Sequence, residues 1–188
     1  VYGDVASGLS RETDPLAPRN IYSALKAGGD LLAQTYAAVF DLDVVIARPA
    51  NNYGPRQFDE KLVPKIFSCF RTGTKKVPIY GDGNQTRDWL YVKDTVQALH
   101  TMYERGRRGH IYNLGAHEFR TVNEVVRAIA HIMRLRWEDK VEYVADRIRG
   151  DRRYALNLEK TKEELGWCAQ TKFDIGLEAT VMWYENNK

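Results

Sequence analysis

The stretch NIYSALKAGGDLL, residues 20–32, places a phenol and an ammonium four residues apart, at Tyr22 and Lys26. Side chains with this spacing lie on the same face of an α-helix. An ammonium beside a phenol stabilises the phenolate, which for an isolated tyrosine forms only near pH ~10. A phenolate can take the proton of an alcohol while hydride leaves the same carbon. By itself the pair is weak evidence, because two surface residues on an ordinary helix often have this spacing.

Three later stretches contain polar groups suited to an anionic ligand. Asn51 and Asn52 lie in RPANNYGPRQ, Arg87 lies in YGDGNQTRDWLYVKD, and a basic cluster occupies residues 147–153. A planar guanidinium can bind two phosphate oxygens at once. Each stretch also has a structural explanation: turn residues before Gly-Pro, a cation at the end of a strand, and a solvated basic face.

The elements that must position these groups alternate between strand and helix. Apolar spacing predicts a helix over 20–40, and the β-branched run 43–49 predicts a strand buried on both faces of a parallel sheet. The asparagines would then lie in a loop at the carboxyl end of that strand, the edge at which open α/β sheets bind ligands. Further helices are predicted at 61–73, 95–106 and 121–135 with two at the carboxyl end. A short strand and turn are predicted at 77–83, and further strands at 86–94, 109–115 and 141–145. Asp94 is the expected N-cap of the helix after 86–94, and the fold class is α/β.

The composition indicates the class of protein but not a specific function. The 188 residues are 44% hydrophobic and 28% charged with a net charge of +3, as expected of a globular protein with a sizeable core. Such a small charge excess does not indicate a nucleic-acid partner, and no apolar run is long enough to predict a membrane span. Cys69 and Cys168 have no metal-ligand spacing, so we expect no metal site and a reduced, cytoplasmic setting.

Several short sequence motifs, taken in order along the chain, resemble those of a known family. YSALK is followed by NNYGP, EKLVP, PIYGDG, RDWLYV and DRRYAL. Together they resemble the nucleotide-sugar branch of the extended short-chain dehydrogenase/reductase family, the NAD-dependent epimerases and dehydratases, over essentially the whole chain. YSALK matches the Tyr-x-x-x-Lys motif of that family. The resemblance implies NAD as cofactor, a nucleotide diphosphate sugar as substrate, with dTDP-glucose favoured, and 4,6-dehydratase activity, which makes the enzyme a lyase.

The resemblance also implies individual roles. Tyr22 would be the catalytic base and Lys26 its partner, and both would contact the cofactor together with Asn52 at the nicotinamide side. The implied substrate-binding residues are Asn51, Lys61, Leu62, Pro78, Ile79, Tyr80, Arg87, Arg147, Arg149 and Tyr154.

A division of the chain follows from the same resemblance. Residues 1–50 would be the carboxyl-terminal part of a Rossmann-type NAD-binding domain. Residues 51–188 would be mainly a small α/β nucleotide-sugar-binding subdomain, with some strands and helices returning to the Rossmann sheet. The family's glycine-rich turn for the cofactor pyrophosphate has no match in the sequence, so we expect the 188 residues to lack the amino-terminal cofactor half and to be inactive alone. The tyrosine-bearing helix implies a homodimer.

Two departures keep alternatives open. Gly150 stands where the dehydratases usually carry a histidine, and TVNEVV, at 121–126, is more like the epimerases and decarboxylases of the superfamily. A nucleotide-sugar 4-epimerase or decarboxylase is therefore the main alternative. A catalytically inactive nucleotide-sugar-binding fragment is another, and a simple interaction domain is the third.

Overall fold

The computed structural model describes residues 1–5, 7–146, 150 and 152–187. The helices are α1 (Ile21–Val39), α2 (Leu62–Thr72), α3 (Val92–Arg105), α4 (Val122–Ile132), α5 (Glu159–Leu165) and α6 (Phe173–Asn187), with a short 3-10 helix at Glu138–Lys140. The strands are β1 (Ile46–Pro49), β2 (Asn51–Tyr53), β3 (Val77–Tyr80), β4 (Thr86–Tyr91), β5 (Ile111–Leu114), β6 (Phe119–Thr121) and β7 (Val141–Val144). The predicted α/β class is confirmed.

Local sequence signals set several helix ends. Asn20 caps α1, because its side chain accepts a hydrogen bond from the Ser23 amide at 2.9 Å and the Ser23 hydroxyl accepts from the Asn20 amide at 3.2 Å. The same reciprocal arrangement joins Thr121 and Glu124 at the start of α4, with distances of 3.1 and 2.7 Å. Gly73 ends α2 in the left-handed conformation with a φ of 64°.

The strands form three small sheets. β1 pairs with β5 in parallel, with Ile46 opposite Ile111. β2 pairs in parallel with β4, which pairs antiparallel with β6. β3 pairs in parallel with β7. The parallel pairings confirm the expected parallel α/β architecture.

Two hydrophobic cores share strand β4. Trp89 and Tyr91 face the larger core, which is built from α2, α4, α6, β2, β3 and β7. Leu90, between them, faces the smaller core with residues of α3, β5 and α5. Because alternate residues of a strand point to opposite faces, β4 contributes side chains to both cores.

Three sequence expectations were wrong in detail. Asp94 is not an N-cap: α3 starts earlier, Tyr91 is its N-cap, and the Asp94 carboxylate accepts the Thr171 amide at 2.9 Å. The predicted loop after residue 50 contains strand β2. Strand β1 is half-buried rather than fully buried, and its most buried side chain is Arg48.

Helix α1 leaves most of its apolar residues exposed. Its buried residues are Ser23 and Ala27, which are 7% and 5% exposed. Exposed fractions are 71% for Leu25, 57% for Leu32 and 66% for Val39. No helix in the described part of the chain is long and apolar enough to cross a bilayer.

Candidate functional site

Tyr22 and Lys26 lie one turn apart near the start of α1, as the sequence predicts. Tyr22 is 71% exposed and Lys26 is also exposed. The neighbouring positions Ser23 and Ala27 are buried, so the side of α1 that packs on the rest of the chain runs beside the Tyr22–Lys26 pair. The two functional groups are therefore accessible to a ligand.

Asn51 and Asn52 are successive residues of β2, and their side chains point to opposite faces of the sheet. The Asn52 side chain is fixed by two contacts: its Oδ1 accepts from the Thr95 hydroxyl of α3, and its Nδ2 donates to the Ala50 carbonyl at 3.2 Å. The Asn52 main-chain carbonyl accepts from the Gln57 side chain at 2.7 Å. The sequence did not indicate Thr95, because it lies 43 residues from its partner.

Arg87 and Tyr154, predicted from separate stretches, come together in the fold. The Arg87 guanidinium lies over the Tyr154 ring, 4.8 Å from its centroid. One of its nitrogens also donates to the Thr86 carbonyl at 2.8 Å and to the Arg152 carbonyl at 3.2 Å. Stacking on an aromatic ring and donation to carbonyls hold the plane of the guanidinium in one orientation.

The loop before β4 is held beside this pair by Asn123 at the start of α4. The Asn123 side chain donates to the Asp82 carbonyl at 2.9 Å, and a Cβ at Gly83 would lie 2.3 Å from Asn123 Oδ1. Gly83 also has a φ of 71°, which glycine adopts without strain. Both the short distance to Asn123 and the backbone conformation therefore favour glycine at this position. The pKa of Asp82 is lowered by the Asn84 main-chain amide and by Arg152, which donates to its carboxylate at 3.1 Å.

The carboxylate that follows Arg87 supports the same strand from the other face. Asp88 is fully buried and accepts the main-chain amides of Ala116 at 3.1 Å and Glu118 at 3.0 Å. Its pKa is raised because desolvation outweighs those hydrogen bonds. Asp88 thereby ties residues 115–118 to β4 directly behind Arg87.

The remaining predicted residues have different environments. Lys61 is the exposed N-cap residue of α2, and Leu62 packs partly against the larger core. On β3, Ile79 is fully buried in that core, whereas Pro78 is half-buried and Tyr80 is 37% exposed. Ile79 can therefore offer a ligand its main chain but not its side chain. Arg147 and Arg149 lie outside the described residues.

A buried ion pair behind α1 was missed in the sequence. Arg48 of β1 donates from Nε to Asp30 of α1 at 2.6 Å. One signal in the sequence, an arginine inside an otherwise apolar strand, called for a buried anionic partner but did not identify Asp30.

A comparison with models of known families assigns the chain to a family. The family model described as GDP-mannose 4,6 dehydratase matches residues 1–180. The chain belongs to this family, which confirms the predicted resemblance.

Curated relatives agree with this placement. The low-salt glycan biosynthesis protein Agl12 of Haloferax volcanii is 43% identical over 188 residues, covering 98% of this chain and 58% of the relative. The dTDP-glucose 4,6-dehydratase of Streptomyces griseus is 42% identical over 188 residues, covering 100% of this chain and 57% of the relative. The chain thus spans somewhat more than half the length of the curated relatives it matches.

Solved structures share the fold. The dTDP-glucose 4,6-dehydratase DesIV of Streptomyces venezuelae, with NAD and TYD bound, has a TM-score of 0.95 and 39% identity, covering 100% of this chain and 57% of that protein. The UDP-glucose 4-epimerase of Thermotoga maritima, with UDP-glucose, has a TM-score of 0.89 and 28% identity, covering 98% of this chain and 60% of that protein. Dehydratases and epimerases both have this architecture.

Proposed function

We propose that the protein to which this chain belongs is an NAD-dependent nucleotide-sugar 4,6-dehydratase that converts dTDP-glucose to its 4-keto-6-deoxy product. The observation that carries the proposal is the accessible Tyr22–Lys26 pair on α1 in a chain about 40% identical to dTDP-glucose 4,6-dehydratases. In the reaction, C4 of the glucose is oxidised, water is eliminated across C5 and C6, and hydride is returned to C6.

Tyr22 has the proton-transfer role. Its phenolate takes the proton of the C4 hydroxyl as hydride leaves C4, which turns that carbon into a ketone. Lys26 stabilises the phenolate by its positive charge, because the two side chains share one helix face. The C4 ketone acidifies the C5 proton, so loss of the C6 hydroxyl becomes an elimination next to a carbonyl.

The chain offers groups that fit one side of a dinucleotide cofactor. An ammonium and a phenol on α1 suit ribose hydroxyls, and the anchored amide of Asn52 suits the nicotinamide side. NAD, when bound, accepts and returns the hydride. We propose that Tyr22, Lys26 and Asn52 hold that side of the cofactor.

Arg87 and Tyr154 are proposed to bind the diphosphate of the substrate. A guanidinium whose plane is already fixed loses little conformational freedom when it donates to phosphate oxygens. Asn51, Lys61, Leu62 and the β3 residues Pro78, Ile79 and Tyr80 are proposed to surround the rest of the nucleotide sugar, with Ile79 acting through its main chain.

The division of the chain and its assembly are also proposals. The smaller core, with β1, β5, α3 and α5, is assigned to the Rossmann domain, and the larger core to the substrate subdomain. The exposed leucines of α1 support a homodimer through this helix, because large exposed apolar patches mark interfaces.

A 4-epimerase is the second candidate. It is favoured by the TVNEVV sequence at the start of α4, which is more like that of the epimerases than that of the dehydratases. An epimerase would use Tyr22 for the same oxidation but would return the hydride to C4.

The test is product analysis with the full-length protein, NAD and dTDP-glucose, comparing wild type with Tyr22→Phe. A 4-keto-6-deoxy product that falls by about 100-fold or more in the variant supports the proposal, since a general base contributes about 10²–10⁴-fold. Unchanged turnover in Tyr22→Phe would refute the role of the phenol. A 4-epimer as the product would favour the second candidate.

A further inference from the structure

We infer that the buried ion pair between Arg48 and Asp30 is a positioning device that sets the rotation of α1 and thereby aims Tyr22 and Lys26 at the sugar. The inference rests on the proposed function. Arg48 Nε donates to Asp30 Oδ2 at 2.6 Å, and each side chain is 7% exposed. Asp30 stands four residues after Lys26 and eight after Tyr22 on the same helix.

Arg48 is itself held firmly on the strand side of the pair. Its terminal nitrogen donates to the Tyr2 hydroxyl at 2.6 Å and to the Glu12 carbonyl at 3.2 Å. The Tyr2 hydroxyl in turn donates to Asn113 of β5 at 2.8 Å. Asn113 is fully buried. Because several hydrogen bonds hold the guanidinium, the position at which it can bind the Asp30 carboxylate is fixed as well.

Within the described residues, the apolar contacts of α1 constrain its rotation much less. The helix buries Ser23 and Ala27, and such short side chains present a smooth surface that interlocks poorly with a neighbour. Two directional, desolvated charges resist rotation in a way that these contacts do not. The Arg152–Asp82 pair, by contrast, is open to water, with side chains that are 62% and 46% exposed.

Helix geometry gives the size of the effect. Side-chain atoms lie about 6 Å from a helix axis, so a rotation of about 10° displaces them by about 1 Å. A displacement of that size can reduce a rate by about 100-fold. The distance between Tyr22 and Lys26 does not change in such a rotation, because both side chains turn with the helix.

The experiment uses Arg48→Met, Asp30→Leu and their double variant in the full-length protein, with dTDP-glucose and NAD. We expect kcat to fall by about 100-fold and KM for dTDP-glucose to stay within about threefold.

The double variant separates positioning from folding. Breaking one partner of a buried pair strands a charge and can prevent folding, whereas replacing both partners by apolar residues is usually tolerated. The double variant should therefore melt near the wild-type temperature but keep the low kcat. Leu165→Ala, a buried core residue of α5, is the control, because it should lower the melting temperature without changing kcat.

The outcomes are distinguishable from a failure of the proposed function. A folded double variant with kcat within threefold of wild type overturns the inference, provided that Tyr22→Phe is inactive in the same assay. If Tyr22→Phe remains active, the proposed function and this inference are both wrong. A KM for dTDP-glucose that rises as kcat falls would also count against positioning, because it would place the effect on substrate binding.

Discussion

Replacing Gly176 of α6 by alanine tests how tightly strand β2 is held beneath the proposed site. A Cβ at this position would lie 2.3 Å from the Tyr53 hydroxyl oxygen and 3.0 Å from Tyr91 Cδ2. Tyr53 directly follows Asn52 and is 1% exposed. The Tyr53 ring packs against neighbouring aromatic rings, with its centroid 5.3 Å from that of Phe173, so it cannot shift without displacing them.

The cost follows from three opposing contributions. Alanine is the better helix former by about 1 kcal/mol. Overpacking a filled core costs about 1–3 kcal/mol. Displacing the Tyr53 hydroxyl, which donates to the Phe173 carbonyl at 3.1 Å, leaves a buried group unpaired at a cost of about 1–3 kcal/mol. We expect Gly176→Ala to lower the free energy of unfolding by about 1–5 kcal/mol.

Chemical denaturation of wild type, Gly176→Ala, Tyr53→Phe and the double variant measures this coupling. Tyr53→Phe removes the oxygen that the new methyl group meets, so the alanine should cost at least about 1 kcal/mol less in that background. An unchanged stability of Gly176→Ala, or an equal cost in both backgrounds, would show that the contact is not the cause.

Four further changes have expected outcomes. Thr121→Ala should cost about 1 kcal/mol in denaturation by removing the cap of α4; a smaller loss than that of Thr101→Ala, at a half-buried threonine in the interior of α3, would contradict this. The pKa of Glu124 is lowered by hydrogen bonding to Thr121, so its stabilisation is present above the unfolded-state pKa of about 4.3 and is lost as pH falls through the folded value. Glu124→Gln should therefore flatten the acid dependence of stability, and an unchanged slope would refute this assignment. Arg87→Lys should weaken dTDP binding by about 10-fold or more in calorimetry, because lysine lacks the planar fork; equal affinity would remove Arg87 from the diphosphate site. If the full-length protein forms the proposed homodimer through α1, Leu25→Glu should convert it to monomer in analytical ultracentrifugation, and a persistent dimer would exclude this face.

Local signals in the sequence predicted what local physics determines. The capping residues Asn20 and Thr121 satisfy main-chain amides of their own helices, so both helix starts were readable. The sequence motifs also led to Arg87 and Tyr154, whose guanidinium and ring stack on each other in the structure. Their roles as a binding pair are still predictions, as is the role of Tyr22.

Long-range contacts explain what the sequence could not show. Strand β2 has three residues and exists because β4, 38 residues away, pairs with it. Asp94 looked like a cap, but its carboxylate serves Thr171, 77 residues along the chain. The Arg48–Asp30 pair likewise joins a strand to a helix through packing that no spacing rule specifies.

The position of a label tests the central claim most directly. Full-length protein would be given dTDP-glucose carrying deuterium at C4, with NAD, and the product examined by NMR. We expect a 4-keto-6-deoxy sugar with the deuterium at C6, and no product from Tyr22→Phe. Deuterium retained at C4 of an epimerised sugar, or a labelled 6-deoxy product from Tyr22→Phe at the wild-type rate, would contradict it.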